Sequence, residues 1–188
     1  MFLCKTRSEL HQYLNSRRMM GEQIGFAPTM GALHLGHLDL MRHSKAQNAC
    51  TVCSIFVNPT QFNDPKDLEK YPRTPEKDLE MLESVGTEVV FMPSVEEIYP
   101  PGLNTTLQLE LGQLDKVMEG AFRPGHFQGM AQVVKRLLDL VQPDHLYMGQ
   151  KDFQQFSIVG HMIRQLQLPV ELVMVPTVRE TDGLAMSS

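Results

Sequence analysis

Two histidines three residues apart, His34 and His37, flank Leu35-Gly36 shortly after an apolar run, Ile24-Gly25-Phe26-Ala27, that stops at Pro28. At a helix start, imidazoles at that spacing share one side of the first turn, where free backbone N–H groups and the helix dipole favour an anion. Gly36 lets a phosphate or a flat base approach the backbone where a Cβ would stand in the way. A lone histidine there is more commonly a cap or a surface residue, and a pair could instead ligate metal. No Glu lies between them and no third ligand is fixed nearby, so zinc is the minor reading and no protein-held metal is expected. The glycines at 31 and 36 do not make the G-x-G-x-x-G dinucleotide fingerprint. Phosphate binding is the chemistry to which this pattern points.

Such a pair is useful only if the chain holds it at the end of a strand. Thr6 and Glu9 form a capping-box pair ahead of Leu10, Tyr13 and Leu14, which predicts an amphipathic first helix. Ile24 to Ala27 reads as a buried strand, Leu38, Met41 and Lys45 suit a helix from about Gly36, and Val52 to Val57 returns as a strand broken at Asn58-Pro59. That is a βαβ unit. Thr74-Pro75 then opens a helix over Leu79, Leu82 and Val85 that Gly86 ends, ahead of a strand at Val89 to Phe91. A helix over Ala131 to Val141, a strand from His145 to Met148, a helix through Phe153, Phe156, Val159, Ile163 and Leu166, and a strand from Val170 to Val175 complete the alternation. It predicts an α/β fold with a doubly wound parallel sheet, in which the loops after Ala27, Val57, Met148 and Val175 share one crevice. Thr105 to Leu111, where leucines alternate with polar residues, is expected as a half-exposed edge strand and a candidate edge for subunit contact.

Composition narrows the classes. With 42% hydrophobic and 21% charged residues over 188 positions the chain can bury a full core, so disorder is excluded as a general description. Seventeen basic against 22 acidic residues leave a net charge of −5, so no global positive field draws in nucleic acid or an anionic membrane surface. No apolar run approaches the ~20 residues of a membrane span, and neither secretion nor insertion is expected. Three cysteines, Cys4, Cys50 and Cys53, cannot all pair. Cys50-x-x-Cys53 sits in a run that continues as a strand, which favours buried thiols over a redox pair and a reducing, cytoplasmic setting. Between Asp64 and Glu83, seven acidic and four basic residues with three prolines predict a solvated excursion, with a second reading left open in which Arg73, between Pro72 and Thr74, faces an anion.

Beyond the histidines, the chain reads Pro28-Thr29-Met30-Gly31, then Asn58-Pro59-Thr60-Gln61-Phe62, Tyr71-Pro72-Arg73-Thr74 and Arg123-Pro124-Gly125-His126-Phe127. Gly149-Gln150-Lys151-Asp152-Phe153-Gln154-Gln155 and Asp182-Gly183-Leu184-Ala185-Met186-Ser187-Ser188 follow. From about Gly21 to the last residue this ordered set resembles the pantothenate synthetase (pantoate–β-alanine ligase) family. H-x-G-H alone indicates only the broader nucleotidyltransferase superfamily. The resemblance implies a Rossmann-like nucleotide- and pantoate-binding domain over 1–188. It implies condensation of (R)-pantoate with β-alanine at the expense of ATP, through pantoyl adenylate, with pyrophosphate and AMP released, in pantothenate and coenzyme A biosynthesis. Mg²⁺ accompanying ATP, and a homodimer, are implied in the same way.

By that resemblance His34 and His37 hydrogen-bond the ATP phosphates, with His37 giving a proton or charge to the transition state, and Lys151 balances the leaving pyrophosphate. Met30, Gly31, Ala32 and Leu33 line the nucleotide and pantoate pocket, Leu35 and Gly36 complete the phosphate loop, and Gly149 and Gln150 lead into Lys151. Asp152 accepts from the ribose hydroxyls, although Asp152 and Gln155 also have the spacing of an N-cap and its N3 partner. Gln61 and Gln155 hold pantoate, and Gln61 is shared with β-alanine. Neutral amides orient a carboxylate without blunting it as a nucleophile, as a lysine would. Val178 offers backbone groups to adenine, Met186, Ser187 and Ser188 begin a phosphate-clamping loop, and Arg123 and His126 support the site.

Two departures bear on activity. Gln150 stands where the family commonly has Glu, which removes a charge beside Lys151 with little expected effect. In the family Ser-Ser is followed by Arg-Asn and a smaller lid domain, so a chain ending at Ser188 is expected to be cut before that lid and to turn over poorly or not at all. Two other readings stand beside the ligase: an ATP- or pantoate-binding domain without turnover, and a related nucleotidyltransferase with another acceptor, against which the paired glutamines argue.

Overall fold

Successive apolar side chains in the central strands point to opposite faces, and both faces are covered. In the computed structural model, which describes residues 1–188, the chain opens with β1 (Phe2–Cys4), α1 (Arg7–Met19), β2 (Ile24–Thr29), α2 (Leu35–Gln47) and β3 (Cys50–Ile55). A 3-10 turn at Pro59–Gln61, α3 (Pro65–Lys70), α4 (Pro75–Ser84), β4 (Val89–Phe91) and α5 (Val95–Ile98) follow. Then come α6 (Glu119–Phe122), α7 (His126–Val141), β5 (His145–Gly149), a 3-10 turn at Gln150–Asp152, α8 (Phe153–Gln165) and β6 (Glu171–Val175). Every ladder is parallel, in the order β1-β4-β3-β2-β5-β6. This is the doubly wound, Rossmann-like α/β sheet that the alternation predicts.

The period of two sorts the strand residues between two cores. Phe26, Val52, Phe91 and Leu146 pack with Leu10 and Leu14 of α1, Val134 and Leu137 of α7, and Ile158 of α8. Their neighbours Ala27, Cys53, Val90 and Tyr147 pack on the other face with Leu38 and Met41 of α2 and Leu82 of α4. Cys50 and Cys53 are free, buried thiols inside β3, and burial pushes them up to about 11 and about 12. Neither has the low-pKa environment that a redox pair needs.

Several expectations are corrected. Phe2–Cys4 is a strand that the sequence reading missed, pairing with β4 at the sheet edge. Pro28 does not stop β2, because pairing with β5 ends at Phe26 and only the β3 ladder continues to Thr29, so the missing N–H leaves no gap. The helix expected from Ala131 begins at His126, after Gly125 at φ +79°. The segment 105–111 is not a strand. Leu109 and Leu111 are buried as the alternation implies, but helix side chains satisfy this backbone: Gln132 of α7 donates to the Thr105 carbonyl at 2.9 Å, and the His161 ring of α8 bonds the Glu110 carbonyl at 2.8 Å.

Candidate active site

Chain order reverses at β2, with β3 and β4 on one side and β5 and β6 on the other. Open α/β sheets bind ligands at that switch point. Here the loops after β2, β3, β5 and β6 enclose a cavity of about 350 Å³, with Met30, Phe56, Lys151 and Thr177 each bringing one loop to its wall.

His34 is the N-cap of α2. Its Nδ1 accepts the Gly36 N–H at 3.2 Å, and Nδ1 of His37 accepts the His34 N–H at 3.2 Å, so two imidazoles form the capping box. This changes the expected anion site, because the N–H groups of His34 and Gly36 are spent on the rings and a ligand meets side chains first. With both Nδ1 atoms accepting, each neutral ring carries its proton on Nε2. Both rings line the cavity. A Cβ at Gly36 would lie 2.9 Å from Cε1 of His34, so the glycine makes room for the folded-back ring.

Burial, aided by Lys151, holds His34 below its ordinary value, and burial, His34 and Lys151 push His37 down to about 4. Both rings are neutral at pH 7. A neutral His37 meets an incoming group with an Nε2–H hydrogen-bond donor.

Lys151 and Asp152 reach the same cavity from the turn after β5, Nζ to Oδ1 being 3.5 Å. Asp152 occupies the N-cap position of α8 but makes no side-chain cap bond, and its side chain is 62% exposed. Closing that helix is thus not what the carboxylate does. Gln61 and Gln155 complete the wall. After β6 the chain turns back on itself: Met186 N–H donates to the Val178 carbonyl at 3.0 Å and Ser188 Oγ to the Ala32 carbonyl at 2.9 Å. Val178, Met186, Ser187 and Ser188 consequently line the cavity, with one lone pair of the Val178 carbonyl already engaged.

Five residues expected at the nucleotide lie off the wall. Leu33 is buried in the α2 core, Leu35 and Gln150 are exposed, and Gly31 and Ala32 shape the loop through left-handed backbone at φ +82° and +49°. Arg73 does not face an anion site, since its guanidinium donates to the Leu68, Glu69 and Tyr71 carbonyls around the end of α3. Arg123 pairs with Glu119 and, with His126, borders an adjoining opening that shares Gln61 and Gln155.

The family model for pantoate-beta-alanine ligase matches residues 2–188. The chain belongs to the pantoate-beta-alanine ligase family. It is 52% identical over 183 residues to a pantothenate synthetase of Bacteroides thetaiotaomicron, covering 97% of this chain and 64% of that protein. The crystal structure of pantothenate synthetase from Thermus thermophilus superposes with a TM-score of 0.93 at 49% identity, over 100% of this chain and 66% of that one. That of pantoate-beta-alanine ligase from Francisella tularensis, complexed with Beta-gamma ATP and Beta-alanine, gives 0.94 at 38% identity, over 100% and 71%. The chain therefore spans a little under two thirds of the length of the first of these relatives.

Within this chain, the residue that sequence reasoning passed over is Asn58. It is 1% exposed and makes five bonds. Its Oδ1 accepts from Thr60 N–H, Thr60 Oγ1 and the Tyr99 hydroxyl, and its Nδ2 donates to Oε1 of Gln61 at 3.3 Å and to the Gly129 carbonyl. By claiming the oxygen of the Gln61 amide, Asn58 sets which end of that amide is left to donate. Nδ1 of the His126 ring donates to the Gln61 backbone carbonyl at 2.9 Å, holding the same turn from α7. The Asn-Pro dipeptide signals the turn, but nothing local shows that Asn58 also orients a neighbour's side chain.

Proposed function

We propose that this chain is the domain, spanning 1–188, that binds MgATP and pantoate and joins pantoate to β-alanine through pantoyl adenylate. One observation carries this reading: His34, His37 and Lys151 share a single cavity with Gln61 and Gln155, so phosphate-directed donors and carboxylate-orienting amides face the same space. Membership of the pantoate-beta-alanine ligase family supports it.

A carboxylate is too poor an electrophile for an amine to attack, so it must first become a mixed anhydride. A pantoate carboxylate oxygen attacks the α-phosphorus, the bond from that phosphorus to the bridging oxygen breaks, and pyrophosphate leaves. The β-alanine nitrogen then attacks the acyl carbon, the acyl–phosphate bond breaks, AMP leaves and the nitrogen gives up a proton. The protein's part is positioning and charge stabilisation. The Nε2–H groups of His34 and His37 donate to phosphate oxygens, and an arriving phosphate raises both imidazoles, so positive charge is drawn to the site by the substrate itself. Lys151 meets the pyrophosphate charge, Asp152 accepts from ribose, and the two amides orient pantoate, Gln61 also serving β-alanine.

No group of three or more His, Cys, Asp or Glu is arranged to hold a metal ion. In this reading Mg²⁺ belongs to the substrate, carried on the ATP phosphates and water. No helix is long and apolar enough to cross a membrane, and the three free buried thiols support a cytoplasmic setting. A homodimer is part of the same reading, and sedimentation equilibrium reads it.

Pantoate-dependent exchange of labelled pyrophosphate into ATP tests the function. Exchange that requires pantoate is expected. Saturable nucleotide binding without exchange would reduce the chain to a binding domain, and exchange driven instead by phosphorylated alcohols would make it a different nucleotidyltransferase.

A further inference from the structure

Asp78, in the first turn of α4, is 1% exposed and lies outside the cavity wall. Its carboxylate nevertheless reaches back to the loop after β2. Oδ2 accepts the Ala32 N–H at 2.9 Å, and Oδ1 accepts the Leu33 N–H at 2.8 Å and the Thr74 hydroxyl at 3.1 Å.

The loop has a shape that needs such a partner. Gly31 and Ala32 both have positive φ, +82° and +49°, and this turn aims the adjacent N–H groups of Ala32 and Leu33 at one anion. For a residue with a Cβ that conformation is unfavourable and persists only where surroundings impose it. Here the anion is Asp78. The fit is close, because a Cβ at Gly31 would meet Oδ2 of Asp78 at 3.0 Å and Cγ2 of Ile55 at 3.1 Å. The Ala32 backbone is held at both of its polar groups, its N–H by Asp78 and its carbonyl by Ser188 Oγ in the cavity wall.

We infer that Asp78 is a positioning residue for the nucleotide site: it occupies the anion nest of the β2–α2 loop from behind and so holds His34 and Met30 toward the cavity. This deepens the proposed nucleotide reading and rests on it. Without the clip, the two N–H groups would be free to turn toward a phosphate, and the loop that leads into the imidazole cap would lose its register. Thr74 adds the link to the Tyr71-Pro72-Arg73-Thr74 run, tying the loop ahead of α4 to the same carboxylate.

Asp78→Asn keeps the shape but turns an NH2 group toward one backbone N–H. In that variant the Ala32 and Leu33 amides should exchange with solvent about tenfold faster, while core amides such as Phe26 and Cys53 stay protected. Nucleotide affinity should weaken about tenfold under conditions where the fold is intact, and the ring nitrogen chemical shifts of His34 and His37 should move. Thr74→Val, which removes only the hydroxyl bond, should weaken binding in the same direction, by about threefold. Unchanged exchange at Ala32 and Leu33, or nucleotide affinity within about twofold of the parent once those amides are exposed, would overturn the assignment. Should Asp78→Asn not fold, an unchanged affinity in Thr74→Val overturns it. A parent chain that binds no nucleotide would sink the proposed function instead, leaving amide exchange, which needs no ligand, to decide the clip.

Discussion

The backbone N–H of His34 donates to Nδ1 of His37 across 3.2 Å, and the two ring centroids lie 4.1 Å apart. With the Gly36 N–H on Nδ1 of His34, each imidazole spends its lone pair on the helix end and keeps an Nε2–H for the cavity. Two side chains thus close α2 and arm the site at once. Separating those duties by mutation is the most direct way to examine either.

His37→Ala should lower stability by about 1 kcal/mol through loss of a cap bond. His37→Gln should regain most of that, since Gln at N3 is an ordinary capping-box partner. Pyrophosphate exchange should fall about a hundredfold in both variants, because an amide does not take up the charge that a phosphate draws onto imidazole. Urea unfolding and exchange assays on the two variants check this. Parent-level exchange in His37→Gln would remove the role proposed for the ring.

Stability should depend on pH through the same ring. Burial, His34 and Lys151 push His37 from 6.5 down to about 4, so between those values the unfolded chain binds a proton that the folded chain refuses. The contribution is fully present above pH 6.5 and is lost as pH falls toward 4. Lys151→Met removes a like charge and should raise both imidazoles, making the slope shallower. Denaturant unfolding across that range and NMR titration of the rings read the two effects, and an unmoved His37 titration in Lys151→Met would contradict the electrostatic account.

Gly129→Ala should separate the two halves of the cavity. Its Cβ would fall 2.5 Å from the Thr60 carbonyl oxygen and 3.1 Å from the Gln61 Cα, so α7 and the 3-10 turn must part. A stability loss of about 1–3 kcal/mol is expected. The KM for pantoate should rise while nucleotide affinity stays, because the displaced backbone carries Gln61 and neither histidine. Equal losses for both substrates would show that the halves are mechanically coupled.

Much of the architecture was readable from short-range patterns. Thr6 and Glu9 close α1 as a capping box, and the apolar runs at 24–27, 52–55, 89–91 and 145–148 lie in parallel strands. The segment 105–111 shows the limit of such patterns. Its burial alternates, yet Gln132 and His161 satisfy its carbonyls in place of a neighbouring strand, and a period of two reports only which side chains are covered. The helix start at His126 was hidden for a related reason, since the glycine and proline before it read as a turn whether or not a helix follows.

Residue types set which side chains are available for chemistry, and strand–loop–helix alternation along the chain already places them at one end of a parallel sheet. Their protonation and orientation come from contacts made in the folded chain. Whether His37 is charged depends on burial beside His34 and Lys151, residues brought together from two loops. The orientation of Gln61 depends on Asn58 and on His126, 65 positions away, and the loop into His34 depends on a carboxylate 46 positions beyond Ala32. Hydrogen bonds and desolvation act through space over a few ångströms, so no reading along the chain could supply those partners.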